Sequence, residues 1–248
     1  MRALTARAAL RAWERGQSLD PPGRALALLS AALPEVSRDR LRKLPVGQRD
    51  ALLLRLRQRT FGPQVRGFAR CSECQTPLEF DLDLRRYAAA DHLQHRLPPE
   101  WLTADGFGVR FRLPDSTDLE AMADSCIEIG PARRKLVERC VLEARRDGVE
   151  VKPGELPEAV IQRLGERMEE LDPLAELPLA ITCERCGHGW LALFDAGVFL
   201  WQDVAQAAQH LLDEVHALAT AYGWREPEIL ALSAARRSYY IDKIPTRR

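Results

Sequence analysis

Two Cys-x-x-Cys pairs constrain this chain more than any other feature: Cys71 and Cys74 open "CSECQTPLEF", and Cys183 and Cys186 open "CERCGHGWLALF". Between them lie 108 residues, Gln75 to Thr182. A Cys-x-x-Cys turn aims two sulfurs at one point, which is half of a tetrahedral four-sulfur site. Each pair is flanked by alternating segments: Leu78, Phe80 and Leu82 alternate with Glu79, Asp81 and Asp83, and Leu177, Leu179 and Ile181 lead into the second pair. Period-two alternation suits a half-exposed strand, so each pair is expected at the tip of a hairpin. Gly187 suits the tight backbone of such a knuckle. The expectation is a zinc ribbon in which Cys71, Cys74, Cys183 and Cys186 hold one structural ion, and the residues between the pairs form an excursion. Loop-closure entropy grows only logarithmically, so a self-folding excursion of that length is tolerable.

Other uses of the cysteines fit less well. Thioredoxin-like redox chemistry needs its pair at the start of a helix, whereas strand patterns follow both pairs here. Structural disulfides belong to exported proteins, and "MRALTARAALRAWERGQ" has arginines where a cleaved signal has its apolar core. Four cysteines leave no open coordination position for activating water. His188, two residues after Cys186, is a possible substitute ligand, and is expected to face solvent. In "DHLQH", Asp91, His92 and His95 are expected to be a solvated surface beside prolines. Cys126 and Cys140 are expected to be small buried hydrophobes, with Cys140 sharing a helical stripe with Leu136, Val137, Val141 and Ala144.

The rest of the chain reads as mostly helical. Helices are expected in "LTARAALRAWERGQ", "PPGRALALLSAAL" and "VGQRDALLLRLRQRTFG", the last stopped by Gly62. "GVRFRLP" reads as a strand and "DSTDLEAMADSC" as a helix capped by Asp115, Ser116 or Thr117. "PARRKLVERCVLEARRDG" reads as one helix from Pro131 to Gly148, and "LPEAVIQRLGERMEELDP" aligns Val160, Ile161, Leu164 and Met168. The longest helix is expected after a cap at Asp195, ending at Gly223, with two short helices beyond, entered at Pro227 and Ser233. Residues 86–106 are ambiguous. The fold class expected is α+β, mainly α: an N-terminal helical segment (1–62), a first knuckle hairpin (63–85), a mostly helical insertion (86–174), a second knuckle hairpin (175–195) and a C-terminal helical region (196–248).

Thirty-six basic residues balance 36 acidic ones, so no overall field draws the chain to nucleic acid or an anionic membrane. No run of 18 apolar residues exists. A nucleic-acid-binding ribbon is the alternative reading, supported by 32 arginines among the 36 basic residues. Acidic Glu79, Asp81 and Asp83 beside the first pair argue against it. No HExxH, Gly-x-Ser-x-Gly, phosphate loop or dinucleotide glycine pattern is present, so no catalytic residue, small-molecule substrate or enzyme activity is expected.

The C-terminal stretch "YGWREPEIL…ARRSYY", Tyr222 to Tyr240, together with "LPVGQRDALLLRLRQRTFG" and "CERCGHGWLALFD", resembles the baseplate hub assembly proteins of T-even-type contractile-tailed phages and phage-like contractile injection systems. The resemblance covers most of the chain. It implies a non-enzymatic assembly factor or structural component, a chaperone or a permanent part, whose partners are baseplate or hub and spike proteins. It implies action in the cytoplasm during assembly, with retention in the finished tail or injection particle as the other outcome. The cysteines, not the resemblance, imply the zinc. Large aromatics dominate interfaces, so Trp201, Tyr222, Trp224, Tyr239 and Tyr240 are candidate anchors, of which two are expected exposed. Tyr222, Trp224, Arg236, Arg237, Tyr239 and Tyr240 form the expected partner surface.

Overall fold

The computed structural model describes residues 1–87, 98–123 and 129–245. Four helices begin the chain: α1 (Ala6–Gly16), α2 (Pro21–Ala32), α3 (Arg38–Arg42) and α4 (Val46–Phe61). Local chemistry sets their ends. Thr5, Asp20 and Ser37 accept hydrogen bonds from backbone amides of the first turns of α1, α2 and α3, satisfying donors that a helix leaves orphaned. Gly62 stops α4 at φ 89°, as its position in the sequence predicts. α4 is the axis of the helical body, since Val46 through Leu54, then Leu56 and Arg57, are all buried. Its Leu53 and Leu56 share one core with Leu26, Leu28, Leu29 and Leu200, each contributing about 1.5–3 kcal/mol by leaving water.

The first hairpin pairs β1 (Gln64–Arg70) with β2 (Pro77–Asp83), and the second pairs β7 (Pro178–Thr182) with β8 (Gly189–Leu193), both antiparallel and in separate two-stranded sheets. Between them lies a four-stranded antiparallel sheet in the order β3 (Glu100–Ala104), β4 (Phe107–Phe111), β5 (Val141–Arg146) and β6 (Val149–Glu150). It carries α5 (Ser116–Ala123), α6 (Ile129–Cys140) and α7 (Glu158–Leu171). Val109, Phe111 and Ala144 from the sheet meet Val137, Val160, Ile161 and Leu164 from the helices in a second core, separate from the first. The chain between the pairs thus contains its own sheet as well as helices, and the fold mixes α and β.

The single helix expected from Pro131 to Gly148 is corrected here: α6 ends at Cys140 and the chain turns directly into β5. The cause lies at the far end of the segment. Asp147 and Gly148 both have positive φ, 50° and 81°, the conformation of a two-residue hairpin turn, for which Asp-Gly is a favoured sequence. Asp105 and Gly106 make the same turn between β3 and β4, giving strand structure to part of the ambiguous 86–106 stretch. Cys140 is fully buried as expected, but at a helix-to-strand junction, where its carbonyl accepts from Arg112 N at 3.0 Å.

The segment between the cysteine pairs is fastened to the helical body at the amino end of α4. Val46 N donates to Pro114 O at 3.0 Å, and Gly47 N donates to Asp172 Oδ2 at 2.8 Å. Arg49, also buried, binds Asp50 Oδ1 at 2.7 Å and Ser116 Oγ at 3.4 Å. Burial pushes the Asp50 carboxyl up to about 6 against the opposing pull of Arg49. A Cβ on Gly47 would stand 2.6 Å from Ala175 N, so only glycine admits this approach.

After the second hairpin comes α8 (Ala196–Tyr222), capped by Asp195, which accepts from Val198 N at 2.9 Å, and ended by Gly223 in the left-handed region. α9 (Glu226–Ala231) and α10 (Ala234–Ile241) fold back on its carboxyl half, where Ile229 packs with Val215 and Leu218.

Candidate metal centre

The two knuckles are built alike. In the first, Gln75 N donates to Cys71 O at 3.0 Å and Cys71 N donates to Thr76 O at 3.1 Å; in the second, Gly187 N donates to Cys183 O at 2.8 Å and Cys183 N to His188 O at 2.8 Å. Both turns need a left-handed residue after the second cysteine, supplied by Gln75 at φ 57° and Gly187 at φ 73°. The hairpin registers end beside each turn, at Arg70 opposite Pro77 and at Thr182 opposite Gly189, so each strand pair delivers its cysteines to the tip.

The two tips meet. Cys71 Sγ lies 3.6 Å from Cys186 Sγ, Cys74 Sγ lies 3.5 Å from Cys183 Sγ, and all four sulfurs lie within 4.8 Å of one another. An ideal tetrahedron with metal–sulfur bonds of about 2.3 Å has sulfur–sulfur edges of roughly 3.8 Å. The cluster therefore has the size and the donor set of a four-thiolate site. Cys71 and Cys183 are buried, Cys74 is half-buried and Cys186 is exposed, so one corner faces solvent.

The thiols respond unequally to this crowding. The hydrogen bond with Thr76, whose Oγ1 lies 3.2 Å from Cys74 Sγ, brings the Cys74 thiol down to about 6. At Cys186 a backbone hydrogen bond at His188 favours the thiolate, but partial desolvation beside the other sulfurs and hydrogen bonds with its three sister thiols outweigh it and push the group up to about 12. Four sulfurs this close cannot all hold negative charge without a cation among them.

Two polar contacts brace one knuckle against the other. His188 Nε2 lies 3.0 Å from Ser72 Oγ, and Arg185 Nη1 donates to Thr76 Oγ1 at 3.2 Å. His188 also stacks on Trp190 at 5.9 Å and is not part of the sulfur cluster. Ser72, Thr76 and Arg185 were not singled out by the sequence reading. The available signal was positional: Thr76 and His188 each stand two residues beyond their pair, and each braces a residue inside the opposite pair.

Cys140 lies in the second core, its thiol raised to about 12 chiefly by burial. Cys126, Asp91, His92 and His95 lie outside the described residues.

The C-terminal aromatics form a second cluster. Trp224 stacks on Tyr222 at 4.9 Å and meets Tyr240 edge-on at 4.9 Å, while the Tyr222 hydroxyl donates to Tyr240 O at 3.0 Å. Tyr222 and Tyr239 are exposed, and Trp224 and Tyr240 are half-buried. Trp201 is half-buried beneath Arg24, 4.9 Å from its ring centre. Arg236 is exposed. Arg237, expected on the same surface, is instead buried: its Nε donates to Glu214 Oε2 at 2.6 Å and its Nη1 to Leu232 O at 2.9 Å. It ties α10 to α8, because a guanidinium that satisfies a carboxylate and a carbonyl together is better held inside than on a rim.

No helix among the described residues is long and apolar enough to cross a membrane. A family model described as T4 bacteriophage base plate protein matches residues 26–201, a span that includes both hairpins and all four clustered cysteines. No curated protein and no solved structure matches the chain.

Proposed function

This chain belongs to the T4 bacteriophage base plate protein family, and on that premise we propose that it is a non-enzymatic assembly factor or structural component of the baseplate hub of a contractile tail or injection machine. The observation that carries the reading is the family match itself, which runs through the hairpins and the sulfur cluster. The domain of a baseplate protein works by contact with other baseplate proteins, and the partners proposed are those of the hub and spike.

In this reading Cys71, Cys74, Cys183 and Cys186 hold one zinc ion. Thiolates are soft donors, and zinc accepts four of them in a closed tetrahedral shell. The ion supplies cohesion, not catalysis: it locks the two knuckles together and so fixes the segments before and after the insertion. The chain is proposed to divide at the boundaries expected from sequence, with the hairpins as a rigid seat between the insertion and the C-terminal helices. Tyr222, Arg236 and Tyr239 present the proposed docking surface, and Trp224 and Tyr240 support it from beneath, since exposed aromatic and guanidinium groups are the strongest interface anchors.

The test is co-purification. A tagged chain is isolated from producing cells before and after particle maturation, and the attached proteins are identified by mass spectrometry. Hub or spike proteins attached only before maturation indicate a chaperone, and attachment at both stages indicates a permanent component. Isolation of the chain free of every baseplate protein at both stages overturns the proposal.

A further inference from the structure

A cleft of about 710 Å³ runs between α1 and α2 and ends at the start of α3. Arg7, Arg11 and Arg15 line one wall and Arg38 closes the end, with no carboxylate in the lining. These four guanidiniums make no ion pair within 4 Å among the described residues, and the carboxylates nearest in sequence, Glu14, Glu35 and Asp39, lie outside the lining. Other arginines are paired, as where Arg134 holds Glu138 and Glu158, and Arg167 holds Glu100 and Glu170; what sets these four apart is that they gather around one concavity. The chain has as many acids as bases, yet leaves these bases unpaired around a concavity.

The spacing and the floor describe the missing counter-charge. Arg7, Arg11 and Arg15 stand four residues apart on α1, a repeat of about 6 Å along the helix axis, and the same repeat separates side chains at every fourth position of any other helix. The floor is made of Ala8 and Ala12 from one helix and Ala27 and Ala31 from the other, small enough for a third backbone to settle between them. Ser30 Oγ, also in the lining, is buried and makes no hydrogen bond among the described residues. A phosphate backbone would use the arginines, but sites for single-stranded nucleic acid add aromatic faces for bases to stack on, and no aromatic residue lines this cleft; a duplex is left to the test below.

We propose that the α1–α2 cleft seats an acidic amphipathic helix of a partner protein, its carboxylates at four-residue spacing on Arg7, Arg11 and Arg15 and its small apolar face on the alanine floor. This deepens the interaction role proposed above and rests on it only for the partner being a baseplate protein; the chemistry of the cleft does not depend on that reading. Recognition of a helix by an apolar groove with a charged rim is a general mode of peptide binding.

The probe is a fluorescently labelled 18-residue peptide of alanine and glutamate, with glutamate at every fourth position and a hydrocarbon staple that holds it helical. Its binding to the full chain is read by anisotropy. Expected are saturable binding, a loss of at least tenfold in affinity between 50 and 300 mM salt, and a loss of at least 100-fold in an R7E/R11E/R15E variant. Ala31→Trp, which fills the floor without altering charge, is expected to weaken binding at least tenfold. All three arginines and Ala31 are exposed, so melting curves of both variants should match the parent, and binding losses then report the cleft. The proposal is overturned if the stapled helix does not bind, if a proline-broken peptide of the same composition binds as tightly, if the variants bind unchanged, or if a 20-base-pair DNA duplex binds more tightly than the helix. Peptide binding without baseplate co-purification would retain the cleft's chemistry and refute only the functional reading above.

Discussion

Two of the places where segments far apart in sequence are fastened together in this chain are opposite in kind. At the hairpin tips, four sulfurs converge near the surface with one corner, Cys186, in solvent. At the amino end of α4, the fastening is buried and made of ordinary polar groups: Gly47 N on Asp172, Val46 N on Pro114, and Arg49 between Asp50 and Ser116. In the function proposed above, the first concentrates its strength in one ion and depends on its supply. The second distributes its strength over several hydrogen bonds, each modest alone and expensive to leave unmade inside the protein. Together they hold both the ends and the middle of the segment between the cysteine pairs.

The sharpest way to break the contrast is to remove a sulfur. Cys183→Ser deletes a buried ligand and should abolish stoichiometric zinc, with a stability loss approaching the order of 10 kcal/mol that such sites supply. Elemental analysis and thermal unfolding, with and without a chelator, check it. Full zinc occupancy in this variant, with an unchanged melting temperature, would refute the sulfur fastening.

At the other fastening, Gly47→Ala should cost about 2 kcal/mol, because the new methyl must displace Asp172 and the chain at Ala175. Hydrogen exchange should then quicken in residues 98–123 and 129–171 while the knuckles stay protected. Equal quickening in both would mean that the two fastenings are one.

Protonation separates them further. Asp50 holds its proton to about pH 6 in the folded chain, against an ordinary value near 4 in the unfolded one. The native state binds the extra proton, so this group's contribution is fully present below about pH 4 and is lost as pH rises through 6. Relative to Asp50→Asn, the parent should therefore lose about 2 kcal/mol of stability between pH 4 and pH 7. Denaturant titrations of both proteins across that range would show it, and a pH-independent difference would refute the buried-carboxyl assignment.

The smallest effect compares the knuckles with each other. Gln75 occupies the left-handed position that Gly187 fills without strain, so Gln75→Gly should stabilise by up to about 1 kcal/mol and Gly187→Ala should destabilise by about 1 kcal/mol. Opposite signs in equilibrium unfolding confirm that the turns are equivalent, and equal signs contradict it.

The two fastenings also differ in how well they can be read from sequence. Cysteine spacing is a local pattern with few alternative uses, so the four sulfurs, their hairpins and the caps at Asp195 and Ser233 were legible before any coordinates. The α4 junction was not, because Gly47 and Asp172 stand 125 positions apart and neither belongs to a motif. Arg237 was misplaced for a related reason: exposed and buried arginines look alike until a partner such as Glu214 is found for them. The missed strand after Cys140 is a different failure. Val137, Cys140, Val141 and Ala144 satisfy helical spacing, and the Asp147–Gly148 turn that overrides it lies beyond the apolar run.

One last consequence belongs to α8, an unbroken rod of 27 residues, about 40 Å from end to end. Its first turns are set in the helical body through Leu200 and Val204, while its last turns carry Tyr222 and the aromatic cap. The direction in which that cap looks is thus dialled by residue count: one amino acid added mid-rod would swing it by about 100° and lift it by about 1.5 Å. Length variation in this helix would re-aim the tip wholesale, so a lineage that keeps the same direction for the aromatic cap must insert or delete there in whole turns.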